Sequence, residues 1–371
     1  MFLAFKELKK NKSKYGLILT ILILVIFLVL FLTGLTKGLA AATSATIDNS
    51  SANYYILDKS SDNLLARSSV SQEDIDKINE FTDGSSEVIN LSVANIYTKS
   101  DSTSKLNISY LGINEEGFLM PEIKEGNSLT NKNDIILDSS FKEEGFEIGD
   151  IITDVTSEME FKIVGFTEDQ IYNFASVGVI SLESYNELVK ASTILKEVNP
   201  QGIALKIDDN SEYIEELKNF INKNLEEKVL ITKSELISSI PGYTAQQGTL
   251  ITMLVFLLVI SSLIIAVFFY VTTMQKIPQF GVLKALGSKM STLALSLATQ
   301  VLILAIISAI IGNILTFVSA SFLPSSMPFN INSTDAILVS VLFILISVGS
   351  SLFSINKVKK VDAVSAIGGT Y

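Results

Sequence analysis

At 371 residues with mean hydropathy +0.43 and 48% apolar residues, the chain is too apolar for an ordinary soluble enzyme, and its 18% charged residues are too many for a protein lying wholly in lipid. It has neither cysteine nor histidine, which excludes disulfide frameworks, zinc centres, Ser–His triads and histidine ligation of haem iron within the chain. The net charge of −11 is unevenly spread, and that spread reports topology.

Residues 1–16 (MFLAFKELKKNKSKYG) place Phe2, Phe5 and Leu8 at helical spacing among Lys6, Lys9, Lys10, Lys12 and Lys14. The segment reads either as a cytoplasmic amphipathic helix attracted to anionic lipid or as a plain positively charged flank. Leu17–Leu35 then runs nineteen residues without a charge, enough at about 1.5 Å per residue to cross a hydrocarbon core of about 30 Å. A first transmembrane helix is therefore expected at 17–39. The small residues after Gly38 offer a signal-peptide cleavage site, but signal cores run only about 7–15 residues, so the helix is read as retained.

Residues 40–247 hold most of the acid and the obvious turn chemistry, and read as one α+β domain. Strands are expected at Tyr54–Leu57, Glu87–Val93, Ile108–Ile113, Asp134–Leu137, Phe161–Phe166, Gly178–Leu182, Ile203–Ile207 and Val229–Ile231, in a mixed sheet. Helices are expected at Gln72–Phe81, capped by Ser71 with Asp74 three residues on, and at Leu182–Leu195 and Tyr213–Leu225.

Three further charge-free runs, Thr249–Tyr270, Leu293–Phe317 and Ala336–Phe353, predict transmembrane helices at 248–274, 291–318 and 336–355. A polar loop at 319–335 joins the last two, and a tail occupies 356–371. The flanks 1–16, 275–290 and 356–371 hold eleven basic residues against Glu7 and Asp362, a net +9 that leaves −20 for the rest. That imbalance puts both termini and the 275–290 loop in the cytoplasm. The expected architecture is an α-helical membrane protein of four transmembrane helices, with an α+β extracellular domain inserted between helices 1 and 2.

Between the second and third runs, Tyr270–Lys289 carries Lys276, Lys284 and Lys289 and no acid. Pro278 sits where a short helix would open, Ile277, Phe280 and Leu283 recur three apart, and Gly287 is placed to stop it. This is either a compact basic knob or a loop that merely satisfies charge topology. Glycine is nowhere followed by lysine, so the chain has no Walker A loop. Without a catalytic constellation either, it is read as a non-enzyme.

The loop pattern, a basic Lys276 before Gly281, Val282, Leu283, Lys284, Ala285, Leu286 and Gly287, resembles that of the FtsX/MacB-type ABC transporter permeases. In the tail, Asp362, Ala363 and Ala366 resemble the family's closing motif, with Ala363 where proline is usual. The wider runs FFYVTTMQKIPQFGVLKALGSK and VDAVSAIGG are similar to one branch, the permeases of haem-regulated transporters of Gram-positive bacteria. The resemblance implies that Lys276, Ile277, Pro278, Phe280, Gly281, Leu283, Lys284 and Gly287 dock into a separate cytosolic ABC ATPase. It also implies a homodimer working with two ATPase copies in the cell membrane, in contact with lipid and not with nucleic acid. The chain would hold no cofactor, with haem as transported substrate and ATP bound by the partner.

For that branch, iron ligation falls to tyrosine, methionine or carboxylate, because histidine and cysteine are absent. The segment around Tyr172 (EDQIYNFAS) resembles a tyrosine-bearing stretch of the branch, and Tyr243 lies six residues before the second apolar run. Tyr243 with Gln246 and Gln247, beside Phe27 and Phe31 of the first helix, is expected to form a haem pocket open to lipid. Tyrosines of the interfacial belt are the competing reading. Lys37 is either a propionate partner or a snorkelling anchor. Other cargoes for the same architecture are lipid or antimicrobial peptide, and a further reading is a mechanotransmitting regulator of an extracellular partner.

Overall fold

In the computed structural model, which describes residues 12–98, 104–192, 198–285, 290–324 and 327–358, the first element is a 37-residue helix, α1 (Lys12–Asp48). It outruns the expected 17–39 at both ends. Residues 12–16 belong to it and not to a separate amphipathic helix, while residues 1–11 lie outside the described part. Beyond Leu39 the sequence AAATSATID is rich in alanine, the best helix former, and carries no glycine or proline to stop the helix. The chain divides into two compact units, residues 40–246 and residues 1–39 with 247–371.

The first of these is α+β. In chain order it holds β1 (Tyr54–Asp58), α2 (Gln72–Phe81), β2 (Ser86–Tyr97), β3 (Lys105–Ile113), β4 (Glu125–Gly126), β5 (Asp134–Asp138), β6 (Ile151–Thr153), β7 (Glu160–Thr167) and β8 (Ile171–Tyr172). Then follow β9 (Ala175–Ser181), α3 (Leu182–Ser192), β10 (Gly202–Leu205), α4 (Ser211–Asn224), β11 (Lys228–Thr232) and α5 (Lys233–Ser239). The sheet runs β11-β1-β10-β2-β3-β9-β5-β7-β4, with β6 on β7 and β8 on β9. β3 with β9 and β5 with β7 are parallel, and the other pairs are antiparallel, so the sheet is mixed as expected.

Local chemistry accounts for the helices. Ser71 accepts from Asp74 N at 3.2 Å at the start of α2, and Asn210 caps α4 through Glu212 N at 3.0 Å. α5, absent from the expected elements, opens on a capping box in which Thr232 and Glu235 each accept from the other's backbone N–H. Ile78, Leu217 and Ile221 of α2 and α4 pack onto Ile56 and Ile203 of the sheet. At that edge Lys228 is buried, its Nζ 3.1 Å from Asp58 and 3.8 Å from Asp74.

The other unit contributes the first part of α1 together with α6 (Tyr243–Ala285), α7 (Met290–Ala320) and α8 (Ser333–Val358). These four helices are long and apolar enough to cross a membrane. α6 corrects one expectation. Pro278 does not open a separate short helix, because the helix begun at Tyr243 runs through it to Ala285. A proline removes one i→i−4 bond, a loss that membrane-helix ends tolerate. The side chains of Lys276, Ile277, Pro278, Phe280, Leu283 and Lys284, and all of Gly287, lie outside the described part, as does the tail from 359.

Tyr15, Ile18, Leu22, Ile26 and Leu30 line one face of α1 and pack with Ile265 and Phe269 of α6, Val301 and Leu304 of α7, and Phe343 of α8. Polar side chains within the bundle pair with one another: Tyr15 with Gln300 at 2.8 Å, Asn313 with Ser340 at 2.8 Å and Ser262 with Ser350 at 2.7 Å. Gly34 and Gly38, one turn apart on α1, receive the loop that enters α8. Asn330 N donates to Gly34 O at 3.0 Å, and a Cβ on Gly38 would stand 2.3 Å from Pro328 O. Lys37 pairs with Asp335 at 2.6 Å, so its observed partner is a carboxylate of the chain itself.

Candidate functional site

Tyr172 closes β8 and pairs with Ala175 across a two-residue turn, Asn173–Phe174. Both turn residues have positive φ, 49° and 63°, the I′ form that matches sheet twist and ordinarily calls for Asn-Gly. Phenylalanine in this region costs about 1–2 kcal/mol. The turn is tied down by two bonds to carbonyls of α1, Asn173 N to Thr43 O at 2.9 Å and Phe174 N to Ala42 O at 2.8 Å. Tyr172 is also held by its carbonyl, which accepts from Ser109 Oγ at 3.0 Å.

Tyr243 begins α6 after a turn at Gly242 (φ 83°), and its hydroxyl engages Ser44, the next residue along α1. Tyr172 and Tyr243 are half-buried against the same hydrophobic cluster, which includes Ile47, Leu111 and Val177. The fold thus brings together two tyrosines 71 positions apart in sequence, around the segment Ala42–Ser44. Burial pushes the Tyr172 hydroxyl above its ordinary pKa, so the isolated side chain is a neutral phenol at physiological pH. Gln246 lies on the first turn of α6, its N–H donating to Gly242 O at 2.9 Å.

Phe27, Phe31 and Gln247 belong to the membrane unit. Phe27 and Phe31 are neighbours on α1 with ring centroids 5.7 Å apart, and Phe31 lies 5.1 Å from Phe329. Gln247 donates to Thr36 O at 3.4 Å. Phe329 and Phe174 were not among the residues expected from sequence. Phe329 lies in the loop before α8 beside the apolar Met327 and Ile331, so nothing in the sequence singles it out, and in the Asn-Phe pair only the asparagine is a turn former.

Among the described residues no group of three or more acidic side chains is placed to hold a metal ion. Two cavities open in the α+β domain, one of about 360 Å³ beside Thr46, Met120 and Gln170, the other of about 700 Å³ beside Asp154, Tyr185 and Gln201. Neither counts Tyr172 or Tyr243 among its described lining residues. What the structure gives the two tyrosines in common is one apolar cluster of the α+β domain, with the Tyr243 hydroxyl engaged by Ser44.

Two family models divide the chain. Residues 16–217 match the MacB-like periplasmic core domain and residues 251–363 the FtsX-like permease C-terminal region. The chain belongs to this family of ABC transporter permeases, whose members associate with an ABC ATPase. Its full length is similar to a Staphylococcus haemolyticus protein named "Putative hemin transport system permease protein HrtB", at 29% identity over 100% of this chain and 99% of that one. A Staphylococcus epidermidis protein of the same name is 27% identical over the same shares. An uncharacterised ABC transporter permease of Mycobacterium tuberculosis is 20% identical over 72% of this chain and 71% of that one. Among solved structures, the periplasmic region of MacB from Actinobacillus actinomycetemcomitans aligns at TM-score 0.36 and 15% identity, covering 51% of this chain and 92% of that one.

Proposed function

We propose that this chain is the permease subunit of an ABC efflux pump that extrudes haem from the membrane, driven mechanically by a separate cytosolic ATPase. The observation that carries the reading is the end-to-end similarity to the staphylococcal hemin transport permeases. The pump is a homodimer with two ATPase copies, its termini and the 275–290 loop in the cytoplasm and its α+β domain outside, inserted between the first two spans. ATP-driven movement enters at Lys276–Gly287. A single helix, α6, carries Tyr243 at one end and Lys284 near the other, which supports transmission along it. Tyr172 or Tyr243 supplies the iron ligand, and Phe27 and Phe31 offer aromatic surface within the membrane unit.

The test is a haem titration of the purified full chain, followed by the Soret band, for wild type and for Tyr172→Phe combined with Tyr243→Phe. Saturable binding with a shifted or lost band in the double variant is expected. A wild type showing only the spectrum of free haem removes the haem assignment and leaves a permease whose cargo is sought among lipids and peptides.

A further inference from the structure

We infer that Phe174 is the ring that meets the flat face of the cargo, an assignment that rests on the haem reading and deepens it. The argument begins with a residue that is unfavourable to the fold on two counts. At φ 63° Phe174 sits in the left-handed region, where a bulky side chain is an outlier and glycine the usual occupant of this turn position. The residue is also 54% exposed and joins none of the hydrophobic clusters of the α+β domain. Burial therefore offsets neither cost. Strain that packing does not offset collects where a chain handles a ligand.

The surroundings indicate what kind of ligand. Phe174 follows Tyr172 by two positions, on a turn whose two backbone N–H groups are fixed on Ala42 and Thr43, and the adjacent Ser44 holds the Tyr243 hydroxyl. One short stretch of α1 thus anchors the turn that carries Phe174 and the hydroxyl of Tyr243. The strip Ile171–Ala175 carries no charge, so nothing there favours an ionic headgroup. An exposed ring carried on a turn whose backbone is fixed gains by offset stacking on a flat aromatic macrocycle and gains little more than any apolar group from a flexible acyl chain. Phe174 selects planarity, while the tyrosines address the iron.

The experiment uses the full chain in lipid nanodiscs, titrated with haem and with iron-free protoporphyrin. The variants are Phe174→Gly, Phe174→Trp and Tyr172→Phe. Phe174→Gly is expected to weaken both porphyrins about tenfold, the loss of one stacking partner, while melting above wild type because glycine accepts the turn without strain. Phe174→Trp keeps both affinities, and Tyr172→Phe weakens haem alone. Phe174→Gly binding both porphyrins like wild type discards the assignment and leaves the haem reading standing. Loss of binding together with a lower melting temperature marks the ring as structural and also overturns it. A wild type that binds neither porphyrin removes the haem reading and this assignment together.

Discussion

Replacing Gly38 by alanine tests the packing of the loop before α8 against α1. The added Cβ would lie 2.3 Å from Pro328 O, 2.4 Å from Pro328 C and 2.5 Å from Phe329 N, all backbone atoms that cannot rotate away. Ordinary carbon contacts need about 3.5 Å or more, so the loop must retreat by roughly 1 Å. Retreat strains the Asn330 N bond to Gly34 O and the Phe31–Phe329 ring contact, now 3.0 Å and 5.1 Å. Overpacking of this kind costs about 1–3 kcal/mol, the hydrogen bond and ring pair add about 1–2, and the better helix propensity of alanine returns about 1. The net loss is about 1–4 kcal/mol. At Gly34 the obstacle is the Phe329 ring at 2.4 Å, which can tilt, so Gly34→Ala is expected to lose only about half as much. At Gly349 nothing lies within 4 Å, and alanine there should stabilise by about 0.5–1 kcal/mol. Thermal loss of helical circular dichroism in detergent ranks the three. Gly38→Ala melting at or above Gly349→Ala would refute the reasoning.

Lys228→Met leaves Asp58 and Asp74 facing one another with side chains only 20% and 15% exposed, at an expected cost of about 2–4 kcal/mol; adding Asp58→Asn should recover part of it in the same melt. The Asp58 carboxyl is held below its usual range, first by the Ser60 hydroxyl and then, against desolvation, by the Ser60 N–H and Lys228. Its contribution is therefore complete above the unfolded value of about 3.9 and is lost as pH falls through the lower folded value, so Asp58→Asn should flatten the acid limb of the stability profile. Asp134→Ala removes an oxygen that accepts from Thr130 N at 3.0 Å and Asn131 N at 2.7 Å, and should lose about 1–3 kcal/mol by equilibrium unfolding. Because burial raises the Tyr172 pKa, ligation by its phenolate releases a proton, and haem affinity should climb about tenfold per pH unit below that pKa. A wild-type binding curve independent of pH excludes a phenolate ligand at Tyr172.

The four apolar helices were legible because a charge-free run of membrane length has few other readings, and the eight longer strands because their β-rich runs are bounded by turn residues. Helix ends were not. Nothing in Ala40–Asp48 marks the membrane boundary for a helix that simply continues, and Pro278 imitates a start signal inside α6. β4, β6 and β8 are two or three residues long and exist only through their partners, so no local pattern announces them. α5 is announced by the Thr232–Glu235 capping-box spacing, a signal weakened by the helix being only seven residues long. At the candidate site Tyr172 was legible by resemblance and Tyr243 by its place six residues before the second apolar run. Their convergence on Ala42–Ser44 is a property of long-range pairing that single-sequence periodicity does not contain.

The position of β1 has a consequence for synthesis. It is the first strand made, yet both its neighbours, β10 and β11, begin only at Gly202 and Lys228. Closing so long a stretch costs about 2–3 kcal/mol more than closing a ten-residue hairpin, a modest thermodynamic penalty. The delay matters more. At about 5–20 residues per second, Tyr54–Asp58 waits on the order of ten seconds with both edges unpaired and apolar side chains uncovered. While the ribosome is still at work, the least protected part of this chain is its earliest strand, and a chain released before Gly202 has no partner to give it.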